Sequence, residues 1–196
     1  MRNKLISLML ALLVLISVAL PVLATETQEK QHITILNIKS LEKLAANCRI
    51  DSYSRNLVVS LQADLDLEGR DFSGIPIFCG RFEGNGHTIR GLNISMDGSA
   101  QGFFRYLTET AVVQNLHLEG NIRMEGSAAE IGGIAGNNRG EIRNCSLSGT
   151  VSGKEFIGGI TGYNAVSGLI ENCSTSGSLS GDHFIGGIAG KNAGAG

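Results

Sequence analysis

Residues 131–156 read IGGIAGNNRGEIRNCSLSGTVSGKEF, residues 157–184 read IGGITGYNAVSGLIENCSTSGSLSGDHF, and residues 185–196 read IGGIAGKNAGAG. The two complete units are 26 and 28 residues long, and the difference is a two-residue insertion in NAVSG relative to NRG, which marks that point as a turn. Self-similarity at this period is the signature of a solenoid. The strand-like segments are short, alternate in polarity and are interrupted by glycine. An interior glycine costs a helix roughly 1 kcal/mol relative to alanine, so helical units are excluded. Period-two alternation is the strand signal. Leucine-rich repeats share the length but need a helical half that is missing here. The pattern therefore predicts an all-β fold, a right-handed parallel β-helix of about four to five coils, in which like residues stack about 4.8 Å apart.

The expected columns follow from aligning IRGLNI, VQNLHL, IRNCSL and IENCST. This stacks Ile89, Val113, Ile142 and Ile170, then Leu92, Leu116, Cys145 and Cys173, then Ile94, Leu118, Leu147 and Thr175. Ile122, Val151 and Leu179 form a further column, as do Ile131, Ile157 and Ile185. Asn115, Asn144 and Asn172 fall at one corner, and Asn138, Asn164 and Asn192 at another. Asparagine tolerates left-handed backbone angles, and stacked amides can bond along a column. Gly120, Gly149 and Gly177 mark another corner, Phe156 and Phe184 an aromatic stack, and Arg143 should lie beside Glu171.

Composition agrees. Among 196 residues there are 27 Gly, 2 Pro and no Trp, and aromatic residues make up 5%. A narrow core of aliphatic side chains is expected. With 16 basic and 18 acidic side chains the net charge is −2, and no basic stripe of the kind that displaces counterions from nucleic acid is present.

Arg2 and Lys4 precede the apolar run LISLMLALLVLISVAL, which Pro21 breaks before VLA. This order is that of a signal peptide, residues 1–24. Residues 25–71 are expected to form an N-terminal cap, in which SLEKLAANC is a short helix with Ser40 as N-cap and with Leu41, Leu44, Ala45 and Cys48 on one face, followed by the strand NLVVSLQADLDL. Residues 72–196 are the repeats, read as truncated because the last unit matches the internal ones, whereas terminal repeats of solenoids differ.

The stretches GGIAGNNRGEIRNCSLSGTVSG and GGITGYNAVSGLIENCSTSGSLSG resemble GLUG-motif repeats of bacterial secreted and surface proteins. The upstream ADLDLEGRDFSGIPIFCGRFEGNGHTIRGLNI resembles the segment that precedes such repeats. Similar repeats occur in the non-catalytic region of IgA-cleaving metallopeptidases. The H-E-x-x-H zinc motif is absent, so peptidase activity does not carry over.

A non-enzymatic secreted or cell-surface module is expected, an adhesin-like scaffold or ligand-interaction domain of a larger protein. The alternatives are a β-helix polysaccharide lyase or hydrolase, or the non-catalytic N-terminal part of a surface peptidase. Glycan cleavage needs clustered carboxylates, and no coil position collects them: Glu141 aligns with Leu169, and Glu171 with Arg143. His87, in GNGHTI, reads as a turn residue rather than a general base, and His117 should point outward. NIS and the two NCS triplets match glycosylation acceptors but are read as ladder positions. Cys145 and Cys173 are expected as stacked thiols, with a Cys48–Cys79 pairing left open. No catalytic residue, metal or cofactor is expected. The candidate binding residues are Asn137, Tyr163 and Lys191, which vary at one position inside a strict repeat. The expected partner is a host or matrix protein or a glycan. Neither nucleic acid nor a membrane beyond the leader is expected, and the chain should be monomeric or part of a longer one.

Overall fold

The computed structural model describes residues 30–95, 98–124, 126 and 129–195. The leader expected at residues 1–24 lies outside them. The molecule is a parallel β-solenoid whose strands form four sheets. The first holds β1 (Gln31–Ile35), β2 (Leu57–Leu61), β5 (Arg81–Glu83), β8 (Val112–Gln114), β12 (Glu141–Arg143) and β16 (Leu169–Glu171). The second holds β3 (Leu65–Asp66), β6 (Thr88–Ile94), β9 (His117–Arg123), β13 (Ser146–Ser152) and β17 (Ser174–Ser180). The third holds β4 (Ile75–Phe78), β7 (Phe104–Leu107), β11 (Ala135–Asn138), β15 (Thr161–Asn164) and β19 (Ala189–Asn192). The fourth, shorter, holds β10 (Ala129–Gly132), β14 (Glu155–Gly158) and β18 (His183–Gly186).

The first sheet is six strands deep, so the solenoid has about six turns rather than the expected four to five. The additional depth comes from β1 and β2, which pair in parallel with each other, β2 going on to pair with β5. Both lack the glycine punctuation that makes the later coils visible in sequence. The helix α1 (Ile38–Asn47) follows β1 and buries Leu41, Leu44 and the adjoining Cys48, packing on β1 and β4. Its N-cap is Asn37, not Ser40. The Asn37 Oδ1 accepts from the Ser40 backbone N–H at 3.0 Å, and the Ser40 hydroxyl accepts from the Asn37 N–H at 3.2 Å. Ser40 is thus the third-residue partner of a capping box. Among the described residues, no helix is long and apolar enough to cross a membrane.

From β8 onward the columns are those read from the repeat: Val113, Ile142 and Ile170; Leu118, Leu147 and Thr175; Ile122, Val151 and Leu179; Ile131, Ile157 and Ile185. One rung is shifted. Phe82, not Ile89, stands beside Val113. Ile89 pairs with Leu118, Leu92 with Gly120 and Ile94 with Ile122. Four residues separate Glu83 from Thr88 where two separate Gln114 from His117, and a bulge follows Ile89. Gly91 sits in that bulge at φ +71°, where a side chain would run into the Glu68 backbone. The core also departs from a purely aliphatic filling. Phe72, Phe78, Phe82, Phe103 and Phe104 form one buried cluster with ring centroids 5.1–6.3 Å apart. Isoleucine takes over in the later rungs, at Ile131, Ile134, Ile157 and Ile160.

Two amide columns brace the corners. Asn138 Nδ2 donates to Asn164 Oδ1 at 2.8 Å, and Asn164 Nδ2 to Asn192 Oδ1 at 2.8 Å. This column continues in register from the apolar Phe78 and Leu107. At the other corner Asn115, Asn144 and Asn172 take φ of +51° to +55°, joined by Asn85 at +53°. There the bonds run the opposite way, from Asn144 Nδ2 to Asn115 Oδ1 at 3.1 Å and from Asn115 Nδ2 to Glu83 Oε1 at 2.7 Å. Asn93 of the NIS triplet belongs to neither column; it pairs in register with Asn121, its side chain exposed. Gly120, Gly149 and Gly177 stack at positive φ inside the second sheet, each so close to the preceding rung's backbone carbonyl that no Cβ fits.

Candidate functional site

The third sheet presents one column of outward, non-repeating side chains on a repeating backbone. Ile77, Tyr106, Asn137, Tyr163 and Lys191 are in register on five successive rungs. The three residues singled out by sequence, Asn137, Tyr163 and Lys191, therefore stand next to one another. Tyr106 extends the column, and repeat alignment misses it because FFRYL lacks the GGI signature; its exposed ring at an in-register position is the signal.

A second column runs beside the first. Glu130, Phe156 and Phe184 hold left-handed φ of +62°, +53° and +56°. Such angles are uncommon for residues other than glycine, and the same conformation on three rungs directs the side chains alike. The Phe156 and Phe184 rings stack with centroids 5.0 Å apart. Lys191 Nζ lies 5.4 Å from the Phe156 centroid and 5.3 Å from that of Tyr163, so one ammonium faces two rings. Asn137 is held between the columns, its Nδ2 donating to Glu130 Oε2 at 3.1 Å. Its Oδ1 is buried with no hydrogen-bond partner.

Toward the N-terminal rungs this face opens into a cleft of about 770 Å³, lined by Tyr106 and Asn137 together with Asp51, Arg55, Glu109 and Arg139. Sequence periodicity does not reach Arg55 or Asp51, which come from the turns after α1.

Several other titratable groups are tied to neighbouring strands. His87 Nδ1 lies 2.9 Å from Asp64 Oδ1, which also accepts the Thr88 N–H at 3.0 Å. That backbone bond first, then the histidine, holds the Asp64 carboxyl below its usual range. His117 Nδ1 bonds the Ser146 hydroxyl one rung on, at 2.8 Å. Arg143 bridges Glu171 across the rung and Glu141 in its own strand. All four cysteines are free. The Cys145 thiol donates to the Arg143 carbonyl at 3.2 Å, and the Cys173 thiol donates to the Glu171 carbonyl at 3.3 Å. The interaction between these neighbouring thiols, with burial, pushes Cys145 up, and the same interaction pushes Cys173 down. Burial pushes Cys48 up to about 11, and Ser54 bonds it and Cys79 alike. Among the described residues, no three His, Cys, Asp or Glu side chains converge as a metal site would require.

Residues 127–152, which span β10 to β13, match the family model of the GLUG motif. That segment carries a GLUG motif. The chain is 35% identical over 129 residues to halomucin of Haloquadratum walsbyi, covering 60% of this chain and 1% of that protein. It is 39% identical over 95 residues to a protein of Evansella cellulosilytica that carries the name Gly-rich membrane protein, covering 45% of this chain and 11% of the relative. The chain thus spans only a small part of each of these curated relatives. No solved structure matches it. The matched GLUG segment contains Asn137 and Glu130, and the next repeat supplies Tyr163 and Phe156 at the same positions.

Proposed function

We propose that this chain is a non-catalytic interaction module of a larger, surface-displayed protein, exported by residues 1–24 and binding extracellular ligands in the manner of an adhesin. The observation that carries this reading is the column Tyr106, Asn137, Tyr163 and Lys191. Its side chains differ from rung to rung, while at Asn137, Tyr163 and Lys191 the flanking residues are Gly and Asn on every rung. Aromatic rings with a cation held over them are rigid, amphipathic contact groups of the kind that dominate binding surfaces. Similarity to halomucin and to a protein named for a membrane supports surface display. A repeat scaffold specifies shape rather than chemistry, so the variable column is where specificity would reside.

The test is a double substitution, Tyr163→Ala with Lys191→Ala, assayed on arrays of immobilised matrix proteins and glycans. The expected result is capture by the parent chain and an affinity loss of at least about tenfold in the variant, equal to about 1.4 kcal/mol. Both side chains lie outside the core, so the unfolding midpoint should move little. Binding that is indifferent to both substitutions would remove the column from the function.

A further inference from the structure

We infer that the cleft beside Tyr106 is a saccharide-binding site, which gives the ligand class of the interaction face and rests on the reading above. Four observations converge there. Asn137 is only 7% exposed, and its Oδ1 is left without a donor. The bond from its Nδ2 to the Glu130 carboxylate fixes which amide atom is which, because the oxygen could not face that acceptor. An orphaned buried acceptor calls for a donor from outside the chain. Next, Tyr106 is 39% exposed and lines the cleft, where its ring offers a flat plate.

Third, Arg55 and Arg139 share the cleft with Asp51 and Glu109. None of the four enters an ion pair among the described residues. Guanidinium groups only donate and carboxylates only accept, so the lining offers both roles while balancing its charge. A phosphate or polyanion would meet as many negative as positive groups. A molecule whose every polar group both donates and accepts suits all of them. Hydroxyls do this, and a sugar ring carries several of them on one side and an apolar C–H face that packs on an aromatic plate. Finally, about 770 Å³ lies within the roughly 300–1,000 Å³ occupied by small-ligand clefts.

The experiment is saturation-transfer NMR and titration calorimetry of the full chain with cellotriose, maltotriose, mannotriose and chitotriose, and with trigalacturonate and inorganic sulfate as anionic controls. At least one neutral trisaccharide is expected to bind. Transfer should be strongest to ring C–H protons, and the dissociation constant should rise at least about tenfold in Arg139→Ala and in Arg55→Ala, both exposed positions. Tyr106→Ala should weaken binding similarly, and unfolding melts of each variant separate lost contact from lost fold. Silence of all four neutral probes at millimolar concentration, binding indifferent to both arginine substitutions, or binding confined to the anions would each overturn the assignment. The Tyr163/Lys191 double variant tells the two readings apart. Array binding lost in that variant while the trisaccharides stay silent keeps the column and removes the cleft, and trisaccharide binding undiminished in it does the reverse.

Discussion

At the level of single residues, the fold depends on side chains that satisfy backbone and one another along the axis. Asn164 is fully buried and accepts from Asn138, donates to Asn192 and bonds the Gly168 carbonyl at 3.2 Å. Removing it leaves the buried Asn138 amide short of its closest acceptor. Asn164→Ala is therefore expected to cost about 2–3 kcal/mol, since an orphaned buried polar group costs about 1–3 kcal/mol beyond the lost bond. A urea titration followed by circular dichroism checks this, and a loss below about 0.5 kcal/mol would show that the column carries no stability. This column was legible in sequence because the repeat wrote it three times. Its continuation into Phe78 and Leu107 was not, since chemically unlike residues occupy the same place once the aromatic core takes over.

At the level of elements, the early rungs show how a coil without glycine signatures is fastened. Asp64 accepts from Thr88 and His87, and Asp66 accepts from the Glu68 backbone at 3.0 Å and from Arg90 Nε at 2.9 Å, tying β3 to β6. Both carboxyls are held below their usual range, by backbone N–H donors first and then by His87 and Arg90 respectively. A carboxyl depressed in the folded state adds stability that is fully present above its unfolded pKa and is lost as pH falls through the folded value. The denaturation midpoint should accordingly fall on acidification below about pH 4, and Asp64→Asn with Asp66→Asn should flatten that fall. An unaltered acid slope in the double variant would contradict it. The mis-registered rung at Ile89 has the same origin. Hydrophobic spacing aligns IRGLNI with VQNLHL, but the longer turn before Thr88 and the bulge at Gly91 shift the strand, and both are backbone events that apolar periodicity does not encode. The helix α1 was legible from its apolar face. Its N-cap was not, because Asn37 and Ser40 both suit that role and only the geometry separates them.

At the level of the whole molecule, each rung touches chiefly its neighbours, so stability should approximate a sum of repeat and interface terms. Residues 157–184 form one such unit, and its ends are equivalent: Glu155, Ile157 and Gly158 pair with His183, Ile185 and Gly186. Excising these residues joins Phe156 to Ile185 in the sequence context that Phe184 already has. The shortened chain is expected to fold with the same β-sheet circular dichroism and a smaller denaturant m-value, in proportion to the surface removed. A molten or aggregated product would show that the rungs are not interchangeable. The architecture was legible because it repeats. The cleft was not, because Asp51 and Arg55 come to it from the turns after α1 and have no counterpart in the repeats.

The opposed orientation of the two asparagine columns has a consequence for length. In an α-helix the peptide dipoles align and leave partial charges at the termini. Here one file of side-chain amides donates toward the later rungs and the other toward the earlier ones, so their fields offset along the axis. Gene duplication can append units to such a rod without building polarity between its extremities, and its reach becomes a matter of copy number alone.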